Sequence, residues 1–432
     1  MSTTEIIQIA ITTLGGIALL LYGMNVLGSG LEKISGGKME KILEKLTNNI
    51  FKAVILGALV TAVIQSSSAT TVIVVGLVNS GILTLSAAVG IIMGANIGTT
   101  ITGQILRLGD LENNQSLGTA MEFITPTYLA PMLAIIGIII ILIAKKDSIR
   151  AVGDIGMGLG ILFTGMLSLT DAVKPLSELE AFRNLFASLE NPILGILAGT
   201  VVTALIQSSS ASIGILQAVS ATGVLKFAAA FPIIMGQNIG TCSTSILSSV
   251  GASKNAKRTA MVHFYFNFIG TVLFLICVYI LKAFDLIPMW NDTMDMGSIA
   301  NFHTLFNIIV TVVFIPFHKV LEKLAIMTIR SKPEDEDEIA VDSAENMLDS
   351  RFLKSPSLAI QYASNAVSYM GKLARENYKM SCELHFSYDT KHAERIREYE
   401  EIIDRTEDRL NSYLVSITDC ELSVAESRSV TS

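Results

Sequence analysis

The chain has 432 residues, of which 51% are hydrophobic and only 16% charged, with a formal net charge of −7. A soluble domain carries roughly a quarter charged residues, so the composition argues against a soluble globular protein and for a membrane protein. Charge is segregated by region, so the total says little about partners, and Cys242, Cys277, Cys382 and Cys420 lack disulfide or metal-type spacing and read as free thiols.

The first apolar run, 9–28, is long enough to cross a bilayer as a helix, which takes roughly 20 residues. Glu5 precedes it and no basic leader is present, so it reads as a retained helix and not as a cleaved signal. Lys33, Lys38, Lys41 and Lys45 follow. The next apolar stretch, 53–79, is interrupted by Gln65, Ser66, Ser67 and Ser68, groups that are costly in hydrocarbon unless hydrogen-bonded. The run 83–106 could span but contains GANIGTT at 94–100, and 123–144 is a further span that ends at Lys145, Lys146 and Arg150.

From 152–169 onward the pattern repeats. Gln65 is matched by Gln207 at an offset of 142, so AVIQSSSATT reappears as ALIQSSSASI. The same offset carries GMNVL at 23 onto GMLSL at 165, and IIMGANIGTT at 91 onto IIMGQNIGTC at 233. Near the two copies of TAM the offset becomes 140. A duplicated membrane unit is a transporter signature. The second copy supplies the runs 225–247 and 259–281, separated by Lys254, Lys257 and Arg258, and a final run, 299–317, stands outside the repeat.

The topology follows from whether each Gln-Ser segment crosses the membrane or turns back. Each half of 53–79 is about a dozen residues, too short to span alone. If it turns back, each repeat has three crossings, the second unit is inverted relative to the first, and all three basic loops fall on one side with the acidic or mixed loops on the other. The excess of Lys and Arg marks the cytoplasmic side. The expected fold is therefore an all-α membrane protein with two inverted repeats, each holding a re-entrant helical hairpin and a broken helix. The N-terminus lies outside and the C-terminal helical segment in the cytoplasm. The expected units are 1–150, 151–330 with the final helix, an acidic linker 331–347 and a soluble segment 348–432.

A re-entrant tip leaves free N–H groups at the start of its second half-helix, which favour an anion, and free C=O groups at the end of its first. Carbonyls, hydroxyls and the Gln amide oxygen favour a small hard cation such as Na⁺. Gln65–Ser68 and Gln207–Ser210 offer both kinds of group, and GANIGTT with GQNIGTCST (236–244) supply a second pair whose glycines permit unwinding. No Arg, Lys or His lies in these four clusters, so a polyanion bound there needs co-bound cations. Close helix packing by small residues is the bland alternative. An intramembrane hydrolase needs a base near its serine; His263 and His303 each occur once with no repeat counterpart and read as helix-end or interfacial residues.

QSSSAT, QSSSAS and the paired MGxNIGT elements closely resemble the type II sodium-dependent phosphate cotransporters, over about 13–319. The resemblance implies inverted repeats, re-entrant QSSS hairpins and sodium-coupled movement of inorganic phosphate across the cell membrane, with no enzymatic activity, organic cofactor or nucleic-acid partner. It implies a pooled phosphate and sodium site from Gln65, Ser66, Ser67, Ser68, Asn96, Thr99, Thr100, Gln207, Ser208, Ser209, Ser210, Asn238 and Thr241. Cys242 stands where the first repeat has Thr100. The tail resembles the bacterial members that lead into a PhoU-like helical domain, here short. Its apolar residues Ile396, Tyr399, Ile403, Leu410 and Tyr413 fit one helix stripe. Glu400 and Asp404 have a spacing such domains use around metals, although an acidic pair one turn apart is also an ordinary solvated face. The tail could bind a regulatory partner or support a homo-oligomer. Transport of another oxyanion, phosphate export, and a non-transporting phosphate sensor remain as alternatives.

Overall fold

The computed structural model describes residues 3–35, 49–79, 83–113, 123, 125–330, 348–354, 356–420, 422 and 424–431. Most of the first lysine cluster, the first TAM and the acidic linker lie outside the described residues. Among the described residues the chain is helical, and its one β pairing is the isolated bridge Lys226–Thr293.

The first repeat comprises α1 (Thr3–Ser35), α2 (Ile50–Ile64), α3 (Ser67–Asn79), α4 (Leu85–Leu106) and α5 (Pro126–Ile143). The second comprises α6 (Asp147–Val173), α7 (Glu180–Ser188), α8 (Pro192–Ile206), α9 (Ser209–Ser220), α10 (Phe227–Gly240), α11 (Cys242–Ser248) and α12 (Lys254–Ala283). Beyond them lie α13 (Met296–Phe314) and α14 (His318–Thr328), then the tail helices α15 (Pro356–Phe386) and α16 (Thr390–Thr418). Among the described residues, six helices have the length and apolarity to cross a bilayer: α1, α4, α5, α6, α12 and α13. The seventh expected span, 225–247, is divided at Thr241 into α10 and α11, of 14 and 7 residues.

α2 and α3 hold 15 and 13 residues, about 20 Å each at 1.5 Å per residue, against a hydrocarbon core of roughly 30 Å. Asn49 caps α2 by accepting from the N–H of Phe51 at 2.8 Å, and Asn191 caps α8 from Ile193 at 3.0 Å. The chain folds back between the half-helices. Thr61 Oγ1 donates to Thr70 Oγ1 at 3.0 Å and Thr203 Oγ1 to Ser212 Oγ at 2.8 Å; in a continuous helix, residues nine apart would be about 13 Å distant along the axis.

The glycines of the MGxNIGT elements do not unwind their helix in the first repeat, contrary to expectation: α4 is continuous through Gly94 and Gly98. They permit close approach instead. A Cβ on Gly94 would overlap the carbonyl of Val54 on α2, and one on Gly57 the carbonyl of Ile91; Gly236 and Gly199 meet Ile196 and Ile233 in the same way on α8 and α10. Backbones this close gain dispersion contacts that lipid tails cannot displace.

α1 and α6 pack by the same device. Gly16 lies against Leu169, Gly23 against Leu162, Gly158 against Leu27 and Gly165 against Leu20. The contacts run in opposite order along the two helices, so the helices are antiparallel, and adding 142 to Gly16, Leu20, Gly23 and Leu27 gives their repeat counterparts Gly158, Leu162, Gly165 and Leu169 on the other helix.

The tail docks on the first hairpin. The Phe352 ring covers Gly76 of α3 and packs on Tyr362 with centroids 4.5 Å apart. Asn79, at the end of α3, donates from Nδ2 to Asp349 Oδ2 at 2.8 Å and accepts from the N–H of Ser253, the N-cap of α12, at 2.7 Å. Tyr413 OH donates to the Asp349 carbonyl at 3.0 Å, and burial pushes its phenol up from the usual tyrosine range, so it stays a donor. Of the expected stripe on α16, Leu410 and Tyr413 are buried and Ile396, Tyr399 and Ile403 half-buried, while Ile402, Thr406 and Ile417 are buried as well. In Asn79→Ala or Phe352→Ala the tail should be cut by protease about tenfold faster than in the parent, measured by limited digestion, because the opened state becomes more populated.

Candidate functional site

The half-helices of each hairpin meet at a left-handed residue. Gln65 has φ 58° and ψ 21°, and Gln207 φ 57° and ψ 22°. The left-handed region costs a non-glycine residue about 1–2 kcal/mol, and both repeats place their glutamine there. Its N–H closes the helix behind it, donating to Thr61 O at 2.8 Å in one case and Thr203 O at 2.7 Å in the other. Each following serine starts the next half-helix: Ser66 Oγ accepts from Ala69 N–H at 3.1 Å and Ser208 Oγ from Ala211 N–H at 3.3 Å. The first backbone hydrogen bonds of α3 and α9 are made by Thr70 to Ser66 O and Ser212 to Ser208 O. The N–H groups of Ser67, Ser68, Ser209 and Ser210 precede them and have no partner within their helices.

The two tips meet. Ser67 Oγ lies 3.5 Å from Ser209 Oγ, with both residues buried. Ser68 Oγ reaches the Gln207 carbonyl at 3.4 Å and Thr244 Oγ1 reaches Ser68 Oγ at 3.4 Å. Ser67 and Ser209 are repeat counterparts, at the offset of 142. The N-terminal ends of α3 and α9 therefore converge on one place, where their partial positive charges add.

The surrounding residues divide. Thr102 Oγ1 donates to Gln65 Oε1 at 2.8 Å, while the Gln65 amide nitrogen donates back to Ala62 O at 2.5 Å. Thr244, the repeat counterpart of Thr102, turns to the opposite tip and leaves Gln207 exposed. Sequence reasoning did not single out Thr102 and Thr244; their shared offset of 142 was the available signal. Thr99 and Thr241 are buried and donate to carbonyls one turn back, Ala95 O and Gln237 O, each at 3.0 Å, which leaves oxygen lone pairs free to accept or ligate. Thr100 bonds back to Ile97 O at 2.8 Å and Asn96 to Ile92 O at 3.0 Å.

Asn238 is not brought to the tips in the same manner: Asn307 and His303 of α13 engage both polar ends of its side chain. Cys242 is buried with its thiol on the carbonyl of His263. His263 and His303 are not interfacial, as the sequence suggested, but fully enclosed at 1% exposure, because α12 and α13 turn their polar faces inward. His263 contacts Ser245, not a serine of the tips. Glu400 and Asp404 face solvent, with Asn377 Nδ2 3.4 Å from Glu400, and no cluster of three metal-ligating side chains of the kind His, Cys, Asp or Glu occurs among the described residues.

Twin half-helix N-termini, hydroxyls and amide oxygens without a basic side chain suit an anion accompanied by small cations. The Na+/Pi-cotransporter family model matches residues 19–171 and 164–287. The chain belongs to the Na+/Pi-cotransporter family. Its tail matches the PhoU domain over residues 367–432. The chain is 29% identical to the uncharacterised protein YqeW of Bacillus subtilis over 76% of its own length and all of that protein's. It is 25% identical to YjbB of Salmonella typhimurium, whose name assigns it provisionally to inorganic phosphate export, over 96% of this chain and 72% of the relative. It is 41% identical to human sodium-dependent phosphate transport protein 2B, over 23% of this chain and 14% of that protein. No solved structure matches.

The tip geometry separates backbone from side-chain roles. Gln65→Gly removes the side chain where glycine has no left-handed penalty, so thermal stability in detergent should hold or rise. Gln65→Val should lower it, because a β-branched residue is strained further in this region than the glutamine it replaces. Neither variant keeps the amide oxygen, so both should lose solute binding, read by calorimetric titration with phosphate in sodium buffer.

Proposed function

We propose that this chain is a secondary transporter that moves inorganic phosphate together with Na⁺ across the cell membrane, with Gln65–Ser68 and Gln207–Ser210 lining the solute site. The contact between Ser67 and Ser209 carries this reading, because it joins two half-helix N-termini at one point. Phosphate carries a charge of about −1.5 to −2 at neutral pH. The N–H groups of Ser67, Ser68, Ser209 and Ser210 hold its oxygens, and the hydroxyls orient it. Without a basic side chain, the remaining charge is neutralised by Na⁺ on the half-helix carbonyls, the Gln65 and Gln207 amide oxygens, and the hydroxyls of Thr99 and Thr241. Phosphate and sodium then bind together or poorly, and this mutual dependence is the origin of coupling.

The two repeats are inverted, with their hairpins re-entrant. The antiparallel packing of α1 on its own counterpart α6 supports this, since a twofold axis perpendicular to both helices lies in the membrane plane. Alternating access is then a rocking of one repeat against the other about the shared tips. With the basic loops inside, the N-terminus is outside, and the tail is cytoplasmic beside Lys254, Lys257 and Arg258.

Direction is the second reading. The relatives named for phosphate export align along most of this chain, whereas those named for sodium-dependent transport align over about a quarter. Export in the cell, driven by a different gradient, uses the same site.

Sealed proteoliposomes with and without an imposed sodium gradient test the proposal. Labelled phosphate should accumulate only with the gradient. Ser67→Ala and Ser209→Ala should each reduce the flux at least about tenfold, since each removes a hydroxyl from the shared contact. Normal sodium-driven flux in the double variant would sink the assignment. Saturable binding without net flux would identify a sensor instead, and competition by sulfate or arsenate reports the anion class.

A further inference from the structure

The sequence H-x-x-F-N-x-x-x-T occurs twice near the end of the membrane region, at 263–271 and 303–311. Its His, Asn and Thr are spaced at i, i+4 and i+8 and so share one helix face. His263, Phe266, Asn267 and Thr271 on α12 are all buried, as are His303, Phe306, Asn307 and Thr311 on α13. The two helices are antiparallel, with Phe266 on Phe314 at 5.7 Å, Phe274 on Phe306 at 5.0 Å and Gly270 on Val310.

The His and Asn of both faces close on the second MGxNIGT element, while Thr311 Oγ1 of α13 donates to Met93 O of the first at 3.4 Å. On the α13 side, Asn238 Nδ2 donates to Asn307 Oδ1 at 3.0 Å, which leaves Asn238 Oδ1 as an acceptor. His303 Nε2 lies 3.2 Å from that oxygen and must carry the proton, and Asn307 Nδ2 returns to the His303 carbonyl at 2.8 Å. These bonds form a closed ring. On the α12 side, Ser245 Oγ donates to Cys242 O at 2.9 Å, so His263 Nδ1, 3.0 Å from Ser245 Oγ, is the donor there. Asn267 Nδ2 donates to the His263 carbonyl at 3.0 Å and to Cys242 Sγ at 3.4 Å.

The two rings grip the chain on either side of Thr241, where α10 ends and α11 begins. The first repeat has no such grip described: Asn96 and Thr100 bond back to their own helix, which runs on unbroken. Just past the gripped segment, Thr244 departs from its counterpart Thr102: its hydroxyl donates back to Thr241 O at 2.9 Å, and its oxygen lies 3.4 Å from Ser68 Oγ on the opposite tip.

We propose that His263 and His303 are positioning residues. They hold the second element interrupted at Thr241 and so deliver Thr244 to the opposite tip, which makes the two halves of the solute site unequal. This rests on the proposed solute site at the tips. Two histidines that merely filled space would lower stability when replaced but would leave the Ser68–Thr244 approach unchanged.

The test uses the full chain with Cys277, Cys382 and Cys420 replaced by Ala, and with Ser68→Cys and Thr244→Cys introduced. The pair should cross-link under mild oxidation. His263→Ala should slow cross-linking about tenfold, as about 1.4 kcal/mol of lost alignment does. His263→Asn, which keeps a donor at the Nδ1 position, should recover it to within about threefold and serves if the Ala variant does not fold. For transport, His303→Ala in the native-cysteine chain should raise the half-saturating phosphate concentration about tenfold, and His303→Gln should restore it. Adding Asn238→Ala to His303→Ala should cause no further loss, because both act through one contact. Unchanged cross-linking in His263→Ala, or additive losses in the double variant, would overturn the proposal. If the parent shows no sodium-driven flux, the function above fails, while cross-linking still reads the positioning role on its own.

Discussion

Backbone polarity in an apolar setting is the constraint on which the rest of the structure depends. A helix that ends inside hydrocarbon leaves unpaired N–H and C=O groups, each costing several kcal/mol unless satisfied. Both repeats meet that constraint in the same way. A left-handed glutamine closes one half-helix, a serine caps the next, and threonines bridge the two halves. The few N–H groups left over are brought together with their counterparts from the other repeat. What would be a defect in one hairpin is shared between two, the arrangement on which the proposed anion site rests.

The second repeat departs from the first where it matters. Thr102 serves Gln65 within its own half, while Thr244 crosses to Ser68 and leaves Gln207 exposed. α4 is continuous where α10 and α11 are separate. A symmetric pair of tips could hold a solute equally from either side. Unequal halves give the site a direction, and the buried histidines of α12 and α13 lie beside the unequal half.

The PhoU-like tail is tied to the first hairpin. Asp349 binds the amide of Asn79, and the same amide accepts from the N-cap of α12, so the end of α3, the start of α12 and the tail share one residue. Phe352 fits only because residue 76 is glycine; the second hairpin carries Ala218 there. A displacement of the first hairpin must therefore pass to the tail or break this contact.

The sequence alone determined the membrane class, the duplication at an offset of 142 and the two QSSS tips, because hydrocarbon demands apolar length and makes every buried polar cluster conspicuous. Half-segments too short to span point to a fold-back. Tertiary structure alone decided which polar groups meet. The glycines of MGxNIGT were read as hinges, and in α4 they are instead contact points for α2, a choice that depends on a neighbour some forty residues away. α13 engages both ends of the Asn238 amide, and the histidines expected at an interface are sealed beside it. Spacing within a helix fixes which residues share a face, but the partner that face meets is set by packing between distant segments, which no local period encodes.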